Sequence, residues 1–165
     1  MLVTRLLSRQ LGGCKRLYCS GLDTGVDPNT YLKLSEETLE SLEDRFSELI
    51  DDHGSALPGA DTALADGVLT VKLKQGVTYV INKQTPNKQI WLSSPVSGPY
   101  RYDIFRVRHK IFSFLTSYVY NILQSAWVYK HTGETLHSLL DREVSKFISE
   151  DPKFRECFMG TEDAA

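Results

Sequence analysis

The stretch Gly67–Lys74, GVLTVKLK, alternates apolar and polar residues and is rich in β-branched side chains. Alternation with period two puts every apolar side chain on one face of a strand, whereas on a helix it would scatter them around the axis. Gln75-Gly76 reads as a turn and Val77–Ile81 as a second strand. The connection Gln84–Lys88 contains Pro86, which cannot donate to a sheet ladder. Gln89–Ser93 follows as a third strand, and Ser94-Pro95 and Ser97–Pro99 break the chain again. Tyr100–Asp103 and Trp127–Tyr129 read as further short strands. Connections this short join neighbouring strands antiparallel.

Helical periodicity flanks this block on both sides. Asp27-Pro28 is a helix start, with Asp as N-cap and Pro at the first helical position. Leu39, Leu42, Phe46 and Leu49 then recur at helical spacing, and His53-Gly54 is a plausible stop. After Thr132-Gly133, a second amphipathic helix places Leu136, Leu139, Leu140, Val144, Phe147 and Ile148 on its apolar side. The order helix, strands, helix predicts an α+β fold. It is a two-layer α/β sandwich, with two helices packed on one face of an antiparallel sheet of about five to six strands. The domain spans 27–150, and 152–165 read as a frayed C-terminal tail.

Charge divides the chain into three parts, although the net charge is only −2. Residues 1–20 carry +4 with no acid, 21–66 carry −10, and 67–165 carry +4. The first part, MLVTRLLSRQLGGCKRLYCS, has Leu2 and Leu6 against Arg5 and Arg9 at helical spacing. That is the pattern of a mitochondrial presequence, with Arg16-Leu17-Tyr18 resembling a matrix-protease cleavage site. It predicts import into the mitochondrial matrix. Three cysteines, Cys14, Cys19 and Cys157, show no CxxC spacing, which argues against a disulfide scaffold or a cysteine zinc site. Nothing in the charge pattern points to nucleic acid.

The acidic part coincides with the first helix. Glu37, Glu40, Asp44 and Glu48 cluster on one stripe opposite the apolar set, and Glu36, Glu43, Asp51 and Asp52 widen it. A solvated helix face would show the same pattern. However, the stripe has almost no Lys or Arg at i±4, and like charges at that spacing destabilise a helix. Carboxylates without Cys or His suit hard cations such as Ca²⁺, Mg²⁺, Mn²⁺ or iron. On a convex helix they cannot enclose one ion, so the expectation is weak, multi-site binding or docking to a basic partner.

Four stretches carry a resemblance. They are LSEETL from Leu34, DGVLTVKL from Asp66, YVINKQTPNKQIWLSSP from Tyr79 and SGPYRYD from Ser97. They are similar to the frataxin family and most like animal frataxins, from about Thr30 to Asp103 and again from Trp127 through the second helix. The resemblance implies an iron-binding matrix protein that supports iron–sulfur cluster assembly. Its partners would be a cysteine desulfurase and the scaffold protein, to which it promotes sulfur transfer and delivers Fe²⁺. Carried over residue by residue, the iron ligands are Glu36, Glu37, Glu40, Asp44, Glu48, Asp51 and Asp61, holding Fe²⁺ or Fe³⁺ weakly. Ser47, Pro58 and Gly59 stand where some relatives continue acidic. The scaffold-facing surface maps to Asn82, Gln84, Gln89, Trp91 and Arg101. A monomer is implied, with iron-driven oligomers in some relatives.

Trp91 is either a core tryptophan or a partner anchor, since one parity of Ile90-Trp91-Leu92 must face inward; we favour Ile90 and Leu92 inward. An exposed Trp buries one large ring on docking, and Arg101 beside it can grip a carboxylate. Residues 104–126 depart from the family, which has a few polar turn residues there, beginning with a further Trp. This segment has three bases, no acid and a long uncharged run between Lys110 and Lys130. Ser, Thr, Asn and Gln punctuate the run and its end is needed as a strand, so it is not read as a membrane span. Its foreign character and clean edges suggest translated intron or an alternative transcript, and the expectation is an apolar insertion that splits a hairpin and has no fixed place in the sandwich. Two rival functions remain. One is a ferroxidase oxidising Fe²⁺ with O₂, although no Glu-x-x-His motif is present and His53 stands alone. The other is an acidic docking module with incidental iron binding.

Overall fold

The computed structural model describes residues 26–112 and 119–161, with 106–112 and 119–124 described by their backbone only. Helix α1 runs Pro28–Asp52 and α2 runs Leu136–Ile148. Between them lie β1 (Asp61–Ala65), β2 (Val68–Lys74), β3 (Val77–Gln84), β4 (Gln89–Ser94), β5 (Gly98–Phe112) and β6 (Val119–Tyr129). The six strands form one sheet in sequential order, every neighbour antiparallel. This is the expected sandwich.

Local chemistry fixes the boundaries. Asp27 caps α1, its Oδ1 accepting from the Asn29 and Thr30 N–H groups at 3.0 Å. These bonds hold the Asp27 carboxyl below its ordinary pKa, the Thr30 hydroxyl contributing most. Thr135 caps α2 by accepting from the Ser138 N–H at 3.1 Å. Strand β1 gives little sequence signal, because DTALA is short and alanine-rich. It pairs with β2 through Asp66 and Gly67, both at positive φ (52° and 73°), the requirement of a tight two-residue hairpin.

One apolar cluster lies between the layers. Tyr31, Leu39, Leu42, Phe46 and Leu49 of α1 and Leu136, Leu139, Leu140 and Val144 of α2 meet Leu69, Val71, Tyr79, Ile81, Ile90, Leu92, Tyr102 and Trp127. A fully buried Leu or Phe contributes about 1.5–3 kcal/mol relative to exposure. Several buried polar groups are tied into this core. Trp127 Nε1–H donates to Thr38 Oγ1 at 2.9 Å, and the Tyr31 hydroxyl donates to the Gln89 carbonyl at 2.9 Å. Glu143 of α2 is fully buried and accepts from the hydroxyls of Tyr79 (3.1 Å), Ser94 (2.5 Å) and Ser97.

Two expectations are corrected. Within the segment 104–126, residues 104–112 and 119–126 pair with each other and lengthen a hairpin rather than split one. The β5–β6 ladder runs without a break from Tyr102↔Tyr129 through Ile104↔Trp127 to Phe112↔Val119. In an antiparallel pair the inter-strand backbone bonds continue pair by pair for as long as both strands stay extended. The rest of the segment, 113–118, lies outside the described residues. The C-terminal residues are not frayed through 161. Phe154 is fully buried with its ring 4.6 Å from that of Phe46, and the Phe158 N–H donates to Ser41 Oγ at 3.0 Å. Met159 and Thr161 are buried too. Polar spacing hid this packing, since only scattered apolar residues carry it. The expected presequence, 1–20, lies outside the described residues. Among the described residues, no helix is long and apolar enough to cross a membrane.

Candidate functional site

Two surfaces on different layers gather the candidate residues. The first is the outward side of α1 with the adjoining edge strand. Glu36, Glu40, Asp44, Glu48 and Asp51 are exposed along α1, Glu37 is half-buried, and Asp61 is exposed at the start of β1. Glu43 turns away from this group, since its Oε1 accepts from the Leu64 N–H at 3.2 Å and so satisfies the free edge of β1.

The ridge has more counter-charge than its sequence spacing indicated. Lys83 Nζ lies 2.6 Å from Glu36 Oε1, Arg45 Nη1 lies 2.7 Å from Glu48 Oε2, and Lys33 Nζ lies 3.8 Å from Glu37 Oε1. Arg45 is further fixed by donating from Nε to the Pro152 carbonyl at 2.8 Å. Lys83 reaches the ridge from β3, a contact that no spacing along α1 could have shown. Among the described residues, no three His, Cys, Asp or Glu side chains converge on a point that could hold a metal ion. Outward carboxylates of this kind engage a hydrated hard cation one or two at a time.

Beside the ridge lies a recess of about 240 Å³, lined by Asp44, Arg45, Glu48, Lys153, Glu156 and Cys157 among others. The packed C-terminal residues thus bring Glu156 next to the α1 acids. Burial pushes the Cys157 thiol up to about 11. It is therefore protonated near neutrality.

The second surface is the sheet face turned away from the helices. Asn82, Trp91 and Arg101 pair across β3, β4 and β5 and form one row. Ile90 and Leu92 are buried and Trp91 is half-buried, so parity places the indole outward, as favoured from the sequence. The Arg101 guanidinium lies 4.7 Å from the Trp91 ring centre, a cation–π stack. Trp91 Nε1–H donates to Gln89 Oε1 at 3.0 Å, and Gln89 Nε2 donates to Asp103 Oδ1 at 3.0 Å. Lys130 closes this line, its Nζ 3.3 Å from Asp103 Oδ1. Gln84 pairs with Gln89 at the end of the same face. Asn82 is held only by a long 3.4 Å contact from Nδ2 to the Lys83 carbonyl. Arg101 forms no salt bridge among the described residues, which leaves its charge available to a partner's carboxylate. Sequence reasoning missed Asp103 and Lys130. The period-two alternation of β5 could have placed Asp103 beside Arg101.

A family profile described as a frataxin-like domain matches residues 24–150. The chain is 46% identical over 133 residues to the mitochondrial frataxin homologue of Drosophila melanogaster, covering 79% of this chain and 62% of that protein. It is 43% identical over 124 residues to mitochondrial frataxin of Caenorhabditis elegans, covering 74% of this chain and 78% of that protein. The chain thus spans less than two thirds of the length of the fruit-fly relative. A solved structure of trimeric Saccharomyces cerevisiae frataxin complexed with ferrous iron is 38% identical, with a TM-score of 0.52. That match covers 71% of this chain and 87% of the yeast chain.

Proposed function

The chain belongs to the frataxin family, and from that membership we propose that it is a mitochondrial iron-binding activator of iron–sulfur cluster assembly. It works in the matrix, to which the basic, acid-free residues 1–20 direct it. It docks on a complex of cysteine desulfurase and scaffold protein, promotes sulfur transfer to the scaffold and delivers Fe²⁺ there. Iron is cargo, carried by Glu36, Glu37, Glu40, Asp44, Glu48, Asp51 and Asp61 rather than held in an enclosed centre.

The observation that carries this reading is the outward row Asn82–Trp91–Arg101 on a sheet face that, among the described residues, no helix covers. A half-buried Trp under an unpaired guanidinium, flanked by Gln89 and Asn82, has the makings of a binding hot spot. Docking would bury the ring and give Arg101 a carboxylate to grip. The ridge lies on the other layer, so one molecule could carry iron while docked. The partner groups supply the chemistry, and this chain contributes contacts and weak ligation.

A ferroxidase would hold two irons between converging carboxylates. The acids here point outward from one convex helix and one edge strand, which supports carriage over oxidation. The test is to add the full chain to a desulfurase–scaffold complex and follow sulfide release and cluster formation. Acceleration that W91A abolishes supports the proposal. No acceleration by the folded chain overturns it.

A further inference from the structure

A line of polar groups crosses the outer sheet face and ends on Trp91. Gln89 and Asp103 follow the last pair of β4 with β5, Ile90↔Tyr102. Gln89 Nε2 donates to Asp103 Oδ1 at 3.0 Å. The other end of the same amide, Oε1, accepts from Trp91 Nε1–H at 3.0 Å. An ionised carboxylate only accepts and an indole N–H only donates. The Gln89 amide between them therefore satisfies both in one orientation, with oxygen to Trp91 and nitrogen to Asp103.

Lys130, just past the end of β6, puts Nζ 3.3 Å from the same Asp103 oxygen. With the lysine 59% exposed, this ion pair adds little to stability. Aspartate is also a poor strand residue, yet Asp103 lies within β5. Ladder stability thus gives no reason for a carboxylate here. Arg101 sits two residues earlier on the same face. Asp103 Oδ1 engages Gln89 and Lys130 instead of Arg101, whose guanidinium stays stacked on the Trp91 ring.

We infer that Asp103, backed by Lys130, is a positioning residue for docking, which fixes the Trp91 indole through Gln89 before a partner arrives. Ordering a mobile side chain at the moment of association weakens binding, and an anchor already held in its bound orientation avoids that loss. This inference rests on the docking reading above and adds to it the group that orients the anchor.

The experiment uses the full chain with D103L, which removes the acceptor at similar size, and D103N, which keeps one acceptor oxygen. The first readout is the pair of indole N–H resonances in a ¹H–¹⁵N spectrum. The chain has two tryptophans, and Trp127, bonded to Thr38 inside the core, is the internal control. D103L should move the Trp91 resonance and speed its exchange with solvent, while Trp127 stays in place and the melting temperature does not fall. The second readout is affinity for a desulfurase–scaffold complex. D103L should weaken it about three- to tenfold, the scale of one hydrogen bond, and D103N should recover most of the loss. In a W91A background D103L should cause no further loss. The inference is overturned if folded D103L leaves the Trp91 resonance unmoved, binds as wild type, or weakens W91A as much as it weakens wild type. If D103L does not fold, D103A is judged by the same outcomes, and if neither folds, Asp103 is a structural residue and the inference fails. If wild type does not bind the complex, the docking reading fails and this inference with it. If W91A binds more weakly than wild type while D103L does not, this inference alone fails.

Discussion

Trp91 sits at the surface with its N–H bonded to Gln89 and one face under Arg101. W91A should therefore cost little folding stability, about 1 kcal/mol or less, as a truncation outside the core. Its cost to partner binding should reach about 2 kcal/mol or more, the scale of a hot-spot aromatic. W127A is the contrast, because Trp127 is fully buried and bonded to Thr38, and a buried Trp costs about 3–5 kcal/mol. Thermal melts and a partner titration on both variants would show the two effects dissociate. Glu143 gives a second residue-scale expectation. E143A would leave the hydroxyls of Tyr79, Ser94 and Ser97 without their buried acceptor. Each orphaned group costs about 1–3 kcal/mol, so urea unfolding should shift to markedly lower midpoint. Parity made Trp91 legible, since Ile90 and Leu92 had to share a face. Lys83 and Glu143 were not legible, because their partners lie far away in sequence and only the folded layers bring them together.

At the level of elements, the sequence showed the strands with strong alternation and both helices, with the Asp27 cap of α1 but not the Thr135 cap of α2. It missed β1, whose alanines carry little propensity, and it cut β3 short at Ile81 where the ladder continues to Gln84. The hairpin β5–β6 was read as split because an uncharged run looks foreign in composition, whereas its aromatic and β-branched residues are also those that favour extended strands. Replacing 104–126 with a short polar turn keeps the pairs Tyr102↔Tyr129 and Asp103↔Val128. The shortened chain should be more soluble, because an uncharged aromatic and β-branched run invites intermolecular pairing. Its melting temperature should not fall, and sedimentation with thermal melts would check both. The C-terminal segment makes the opposite case. F154A removes a ring packed on Phe46 and should cost about 3–5 kcal/mol, as measured by denaturant unfolding. An unaffected midpoint would mean that the segment contributes nothing to the core.

Across the whole molecule, α2 and the C-terminal segment enclose His137, which is fully buried. Burial lowers its pKa from 6.5 to about 4, while the nearby Phe158 backbone opposes the shift. The unfolded chain therefore binds more protons between these values, and stability falls as pH drops through that window. The loss should approach about 3 kcal/mol near pH 4. H137L should flatten that dependence in urea melts taken from pH 7 to pH 4. On the same scale, the molecule separates its two candidate surfaces, with the proposed iron-binding acids on α1 and β1 and the proposed docking row on the sheet face turned away from α1 and α2. The account stands on that separation. The measurement that tests it most directly is sulfide release by a desulfurase–scaffold complex, supplied with wild type, W91A or an E40Q/D44N double variant, with Fe²⁺ binding measured on the same samples. The account predicts that W91A loses activation and keeps iron binding, while E40Q/D44N binds Fe²⁺ more weakly and still stimulates sulfide release. Loss of both properties in either folded variant, or retention of full activation by W91A, would contradict it.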